Sequence, residues 1–198
     1  MKTFIAASLI ASATAFAPAQ RAASSSTVTS LGAKADYANE LGVQAPLGLF
    51  DPLNILDTCS QEKFDRLRAT ELKHGRVAML GVVGYLTTYA GVRWPGLEDV
   101  PAGWAAWSAL PQDVVLQMVS AWILMEMANR DQTGGKAEFD GDFRNGYLDF
   151  GWDDQTDEWK MKKRAIELNQ GRAAQMGLLG LMVHDALGNV KDILPLAN

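Results

Sequence analysis

One nineteen-residue stretch occurs twice in this chain and limits its fold more than any other feature. Residues 68–86 read RATELKHGRVAMLGVVGYL, and residues 164–182, a constant 96 positions later, read RAIELNQGRAAQMGLLGLM. Aligned without a gap, they share Arg68/Arg164, Ala69/Ala165, Glu71/Glu167, Leu72/Leu168, Gly75/Gly171, Arg76/Arg172, Ala78/Ala174, Gly81/Gly177 and Gly84/Gly180. Nine matches in nineteen positions mark a duplicated helix. Each copy carries a carboxylate, a neutral donor three residues on (His74 or Gln170) and an arginine two further, followed at once by an apolar run. Charges just inside such a run need partners.

Helix geometry names the partners. At about 100° per residue, Glu71 and His74 lie roughly 60° apart on one face, whereas Glu71 and Arg76 are separated by about 140° and do not pair within their own helix. Two antiparallel or crossing copies related by a two-fold axis satisfy the charges reciprocally, Glu71 with Arg172 and Glu167 with Arg76. A crossed helix pair locked by two ion pairs is expected. Ala78 and Gly81 continue the His74 face, as Ala174 and Gly177 continue the Gln170 face, so each donor stands beside a nearly flat surface. Close helix contact and room for a flat macrocycle account for that surface equally well.

The rest of the chain bears on compartment and topology. The single cysteine, Cys59, excludes an internal disulfide framework, and a formal charge of −5 argues against a nucleic-acid partner. Lys2, the apolar residues that follow and the small residues near Ala15 have the layout of a secretory signal. Residues 20–34, rich in Ser, Thr and Ala with Arg21 and Lys34 as their only charges, have that of a transit peptide. In tandem over residues 1–35 they point to an organelle entered through the secretory route; a secreted protein with a disordered start is the alternative. One domain, residues 36–198, remains.

Three helices are expected in that domain, over residues 58–90, 111–130 and 157–187, after an irregular segment at 37–56 lying along a surface. Asp57 or Thr58 caps the first, with Gln61 placed for a Thr-x-x-Gln box; Pro111 suits the first position of the second; Thr156 or Asp157 starts the third, which ends at Gly188-Asn189. The first helix is roughly 45 Å long at 1.5 Å per residue, longer than the hydrocarbon thickness of a bilayer. Its apolar part, 77–92, is short of the usual twenty residues, so a buried soluble helix competes with a membrane span. Trp94, Trp104 and Trp107 follow that helix, and Trp152 and Trp159 stand at the start of the third, which suits aromatic belts at two membrane interfaces, core packing being the alternative. The resulting expectation is an all-α membrane protein of three transmembrane helices, the first and third a crossed pair. On the middle helix Gln117 and Glu126 lie about 180° apart; Arg130 is a local partner for Glu126, and Gln117 has none in sequence. His184 falls on the stripe of Gln170, where spacing alone favours a capping or interfacial role. The loop at 132–151 is expected to anchor through Phe139, Phe143, Tyr147 and Phe150.

A Glu-x-x-His on an apolar helix serves two chemistries. A carboxylate-bridged di-metal site, as in a helical metalloenzyme, needs a second Glu-x-x-His and two further glutamates, and the second copy here offers Glu-x-x-Gln. Axial ligation of the magnesium in a tetrapyrrole needs only one protein donor per pigment. His, Gln and charge-neutralised Glu all serve, so one position can hold His in one copy and Gln in the other.

The segments ELKHGRVAMLG, ELNQGRAAQMGLLGLMVHD, LGVQAPLGLFDPL and FRNGYLDFGW, within residues 39–194, resemble the light-harvesting chlorophyll-binding superfamily, specifically the fucoxanthin–chlorophyll a/c proteins of algae with secondary plastids. ATAFAP, ending at Pro18, resembles the presequence junction of such plastids, with Phe16 opening the transit peptide. The resemblance implies a three-helix thylakoid membrane antenna without enzymatic chemistry. Implied with it are chlorophyll a, chlorophyll c and fucoxanthin, with diadinoxanthin as a further carotenoid. The implied partners are other antenna subunits in a homo- or hetero-oligomer, the core of photosystem I or II, and thylakoid lipids. By matching position, Glu71 and Glu167 bind chlorophyll magnesium while paired to Arg172 and Arg76. His74, Gln170 and His184 are implied ligands too, as are Gln117 and Glu126; for His184 this replaces the role that spacing favours. Gln170 stands where green-lineage antennas have Asn, which bears on that pigment's position. Carotenoids are implied in grooves on both sides of the crossed pair, against Gly81, Gly84, Gly177 and Gly180, with helix contact the alternative at each. A photoprotective, energy-dissipating member of the same family is the second reading; lumen-facing acids would mark it, and Glu98 and Asp99 are the only such pair after the first span.

Overall fold

A computed structural model describes residues 37–130, 137–139, 141–144 and 149–194. The expected presequence at 1–35 and Tyr147 lie outside these residues. The described residues are all-α. They form α1 (Gln61–Tyr89), α2 (Ala106–Ala109), α3 (Gln112–Arg130), α4 (Asp157–Ala186) and α5 (Val190–Ile193), with 3-10 turns at Ile55–Thr58 and Gly103–Ala105. The expectation of three helices is thus corrected to five, because α2 and α5 are single turns too short to leave a periodic signal in sequence.

Local chemistry explains where the long helices start and stop. Asp51 accepts the backbone N–H groups of Ile55 and Leu56 at 3.0 Å, one on each carboxylate oxygen, which winds residues 55–58 into a 3-10 turn. Thr58 is thereby committed to that turn, and the expected Thr-x-x-Gln box does not form. Ser60 caps α1 instead, its extended backbone letting Oγ accept from Lys63 N at 3.4 Å. Pro111 lies one residue ahead of α3 and accepts from Val114 N and Val115 N. At α4 the cap is Thr156, whose hydroxyl accepts from Trp159 N at 3.4 Å; Leu187 and Gly188, left-handed at φ 73°, end the helix.

α1 and α4 form the core of the described residues, and they cross with backbones touching. A methyl group on Gly75 would lie 2.9 Å from Gly171 Cα, and one on Gly171 would lie 3.0 Å from Gly75 Cα. Leu72, Leu168 and Ala78 are buried around this contact. Fourteen residues past each glycine, Tyr89 donates to Asp185 at 2.5 Å. Equal steps in the same sense lead from one contact to the other, so the helices run in the same direction as they cross. The antiparallel option raised by the sequence is excluded.

α3 stands apart. Residues 121–128 are exposed without exception, and Lys73 reaches from α1 to Glu126 at 2.6 Å. Among the described residues no helix is long and apolar enough to cross a membrane by hydropathy. The reason is the charge content: α1 and α4 open on charged turns and hold the repeat's Glu and Arg, and α3 carries Asp113 and Glu126. The outward residues are apolar nonetheless, with Leu80 at 74% exposure and Met176 at 70%.

The loop before α4 is held differently from the expectation. Phe150 is 90% exposed, at φ 51°, and anchors nothing. Phe139 lies under the Arg164 guanidinium at 4.0 Å and Phe143 under that of Arg76 at 5.1 Å. Most of the order comes from Arg144, which bonds Glu138, Asp142, Asp149 and Asp153.

Candidate functional site

The structure brings the repeat's charges together across the crossing. Arg76 Nε donates to Glu167 Oε1 at 2.6 Å, and Arg172 Nε to Glu71 Oε1 at 2.7 Å. Each arginine has a second arm: Arg76 Nη1 donates to Gly141 O at 2.7 Å, Arg172 Nη1 to Gly42 O at 2.9 Å. Gly42 (φ 98°) sits so close that an added methyl would lie 2.5 Å from Leu168 and 2.9 Å from Arg172, while Gly141 (φ 87°) faces Leu72 and Arg76. The two-fold therefore extends beyond the duplicated helix into the loop ahead of each copy. Sequence comparison missed this because Gly42 precedes Glu71 by 29 residues and Gly141 precedes Glu167 by 26, so an ungapped match hides the pair.

The symmetry is imperfect where it matters chemically. Arg68 Nη1 also donates to Glu71, on Oε2 at 2.8 Å, so both oxygens of that carboxylate are bonded. Arg164, its counterpart, lies over Phe139, and among the described residues Glu167 is bonded through Oε1 alone. A carboxylate neutralised on one oxygen keeps lone pairs on the other for a metal.

Both histidines are prepared in the same sense. His74 is exposed, and its Nδ1 lies 2.8 Å from Thr70 O one turn back. A carbonyl only accepts, so Nδ1 carries the proton and Nε2 presents a lone pair outward. His184 is half-buried, with Nδ1 3.0 Å from Asn189 Oδ1. Gln117 and Gln170 are exposed amides. Glu126 Oε2 accepts from Lys73 Nζ of α1 at 2.6 Å, a partner on another helix, while the side chain of Arg130, the local partner expected from spacing, lies outside the described residues. Among the described residues no three His, Cys, Asp or Glu side chains converge as a metal ion would need. The candidate residues are instead dispersed, with His74, Gln117, Glu126 and Gln170 exposed and Glu71, Glu167 and His184 half-buried.

The glycines beside these donors divide. A methyl on Gly81 would meet Leu178 at 2.9 Å, which makes Gly81 a helix contact, whereas Gly84 and Gly180 face open space. A cavity of about 520 Å³ lies between the 42–56 segment and the crossing, lined by Gln44, Leu47, Phe50, Phe64, Glu71 and Arg172 among others. Asn169 Nδ2 donates to Gln44 Oε1 across its edge. On the loop ahead of α4, hydrogen bonds from Arg144 hold the buried Asp142 carboxyl down at about 2, and the Trp152 indole N–H lowers that of Glu138.

Residues 37–186 match the family described as chlorophyll A-B binding protein. The chain is 53% identical to fucoxanthin-chlorophyll a-c binding protein B, chloroplastic, of Phaeodactylum tricornutum, over 98% of this chain and 99% of that relative. It is 48% identical to the fucoxanthin-chlorophyll a-c binding protein, chloroplastic, of Trieres chinensis, over 95% and 96% of the two chains. With the fucoxanthin-chlorophyll a-c binding protein B, chloroplastic, of Macrocystis pyrifera it shares 44% identity over 79% and 76%. A duplicated, ion-paired helix crossing, in a chain matched along nearly its whole length by such relatives, places this protein in the chlorophyll A-B binding protein family.

Proposed function

We propose that this chain is a light-harvesting antenna subunit that holds chlorophyll a, chlorophyll c and fucoxanthin in a plastid thylakoid membrane and passes excitation towards a photosystem. One observation carries the reading. At Glu167, Glu126, His74 and His184 one atom of the side chain is bonded to a protein partner, which orients the residue or neutralises its charge, while Glu71 is bonded on both oxygens and keeps one further lone pair on each. The remaining donor capacity is left for one axial bond each, with Gln117 and Gln170 as further exposed donors. That suits magnesium already held by four macrocycle nitrogens. Bound pigments supply absorption and excitation transfer; the protein's part is to hold them at fixed separation and orientation. No catalytic role is assigned, since the family binds pigment.

The three long helices are read as the membrane spans. Three features support this despite the hydropathy: the charges at the crossing are paired, large apolar side chains face outward along α1 and α4, and Trp94, Trp104 and Trp107 are exposed past the end of α1. α3, exposed along residues 121–128, leaves room beside the crossed pair for pigment as well as lipid. Gly84 and Gly180, open to that surface, are places for carotenoid to pack. Residues 1–35 are read as the bipartite presequence that delivers the chain, and other antenna subunits as its neighbours.

The photoprotective alternative asks for carboxyls that titrate as the lumen acidifies. Glu98 is shifted the other way, because Gly96 N donates to both its oxygens at 3.0 Å and holds its carboxyl below the ordinary range. Glu98 thus lends that alternative no support, and harvesting is kept as the reading.

The test is the absorption and fluorescence-excitation spectrum of the protein purified in mild detergent from its native membrane, with extracted pigments identified by chromatography. Chlorophylls a and c with fucoxanthin, and carotenoid-excited emission from chlorophyll a, are expected. A pigment-free, water-soluble protein would overturn the reading.

A further inference from the structure

The two histidines reach the same tautomer by different means, and only one of them depends on a side chain. His74 is set by the backbone carbonyl of its own preceding turn. His184 lies near the end of α4, and its Nδ1 partner, Asn189 Oδ1, comes from beyond the helix. Gly188, left-handed at φ 73°, turns the chain back, and Asn189 N donates to His184 O at 3.1 Å. Both bonds hold Asn189 against the histidine.

Asn189 also occupies the N-cap position of α5, where an asparagine ordinarily turns its side chain to the helix N–H groups. Here it makes no such bond. Its amide oxygen is directed to His184, and α5 is secured by Val190, 3% exposed, rather than by a cap.

We propose that Asn189 is the positioning residue of the His184 site. By accepting from Nδ1–H, it holds the imidazole in the tautomer and orientation that leave Nε2 free to bind the magnesium of one chlorophyll. This rests on the reading of His184 as a chlorophyll ligand. The requirement is for an acceptor: an amide donating from Nδ2 would put the ring proton on Nε2 and block ligation. A carboxylate at 189 keeps the function, and a hydrocarbon abolishes it.

The experiment compares the full chain with its His184→Ala, Asn189→Leu and Asn189→Asp variants, each refolded with chlorophyll a, chlorophyll c and fucoxanthin. Chlorophyll per chain is counted after extraction, and the tautomer of the His184 ring is read from its ¹⁵N resonances. His184→Ala is expected to lose about one chlorophyll. Asn189→Leu should lose about as much, with the His184 ring no longer held as the Nδ1–H tautomer, and Asn189→Asp should retain both pigment and tautomer. If Asn189→Leu keeps the wild-type pigment count and tautomer, or Asn189→Asp loses as much as Asn189→Leu, the positioning role is overturned while the ligand stands. If His184→Ala loses no chlorophyll, the ligand reading itself fails.

Discussion

Arg76 and Arg172 are the residues on which the crossing most depends, because each neutralises a carboxylate of the other helix and ties down the loop ahead of it. Removing Arg76 leaves Glu167 without its ion pair in an apolar setting, whereas Glu71 without Arg172 keeps Arg68. Arg76→Leu should destabilise the loaded protein by about 3 kcal/mol, the low end for a buried charge left unpaired, since Glu167 keeps 30% exposure. It should also release at least one chlorophyll, and Arg76→Leu with Glu167→Leu should melt higher than Arg76→Leu alone. Thermal melting followed by pigment circular dichroism decides this; equal melting of wild type and Arg76→Leu would remove the ion pair from the account. On the loop ahead of α4 the sign of a pH effect is fixed by Asp142, whose carboxyl falls from 3.8 to about 2 through Arg144. A depressed carboxyl contributes stability that is complete above the unfolded value and is lost as pH falls through the folded one. Trp152, whose ring lies 5.3 Å from the Arg144 guanidinium, should therefore report loop loosening only well below pH 4, and Arg144→Leu should move that transition upward.

Among the elements, α1 and α4 are held together by what they lack at their closest approach. At Gly75 and Gly171 the atoms that a methyl group would strike are backbone, which cannot rotate aside. Gly75→Ala should cost about 1–3 kcal/mol through overpacking. Gly84→Ala, with open space around it, should be neutral in the pigment-free chain or gain up to about 1 kcal/mol in helix propensity. Melting temperatures of the two variants separate helix contact from open surface. If Gly84→Ala in the loaded protein reduces bound fucoxanthin while Gly75→Ala reduces stability, the repeat's glycines serve two purposes. The sequence aligned these residues without distinguishing them, because a match records identity and not distance.

At the scale of the whole molecule the middle helix is the least tied of the long helices, α3 having Lys73–Glu126 as its one salt bridge to the crossed pair among the described residues. Both side chains are more than half exposed, so in water the pair would contribute little. Lys73→Met should leave the melting of the crossed pair nearly unchanged yet remove about one chlorophyll, that of Glu126, as counted by pigment extraction. What the sequence determined by itself was whatever rests on residue type and helical rotation: the duplication, the three long helices, the reciprocal partners of Glu71 and Glu167, and the opening of the third long helix at Thr156 or Asp157. Those follow from local covalent geometry, which is the same in any fold. The tertiary structure decided what depends on residues distant in the chain meeting. These are the common direction of the crossing helices, the loop glycines Gly42 and Gly141 on the arginines, the reach of Lys73 to Glu126 and the turn of Asn189 to His184. Each depends on which surfaces touch, and packing sets that only once the whole chain has closed.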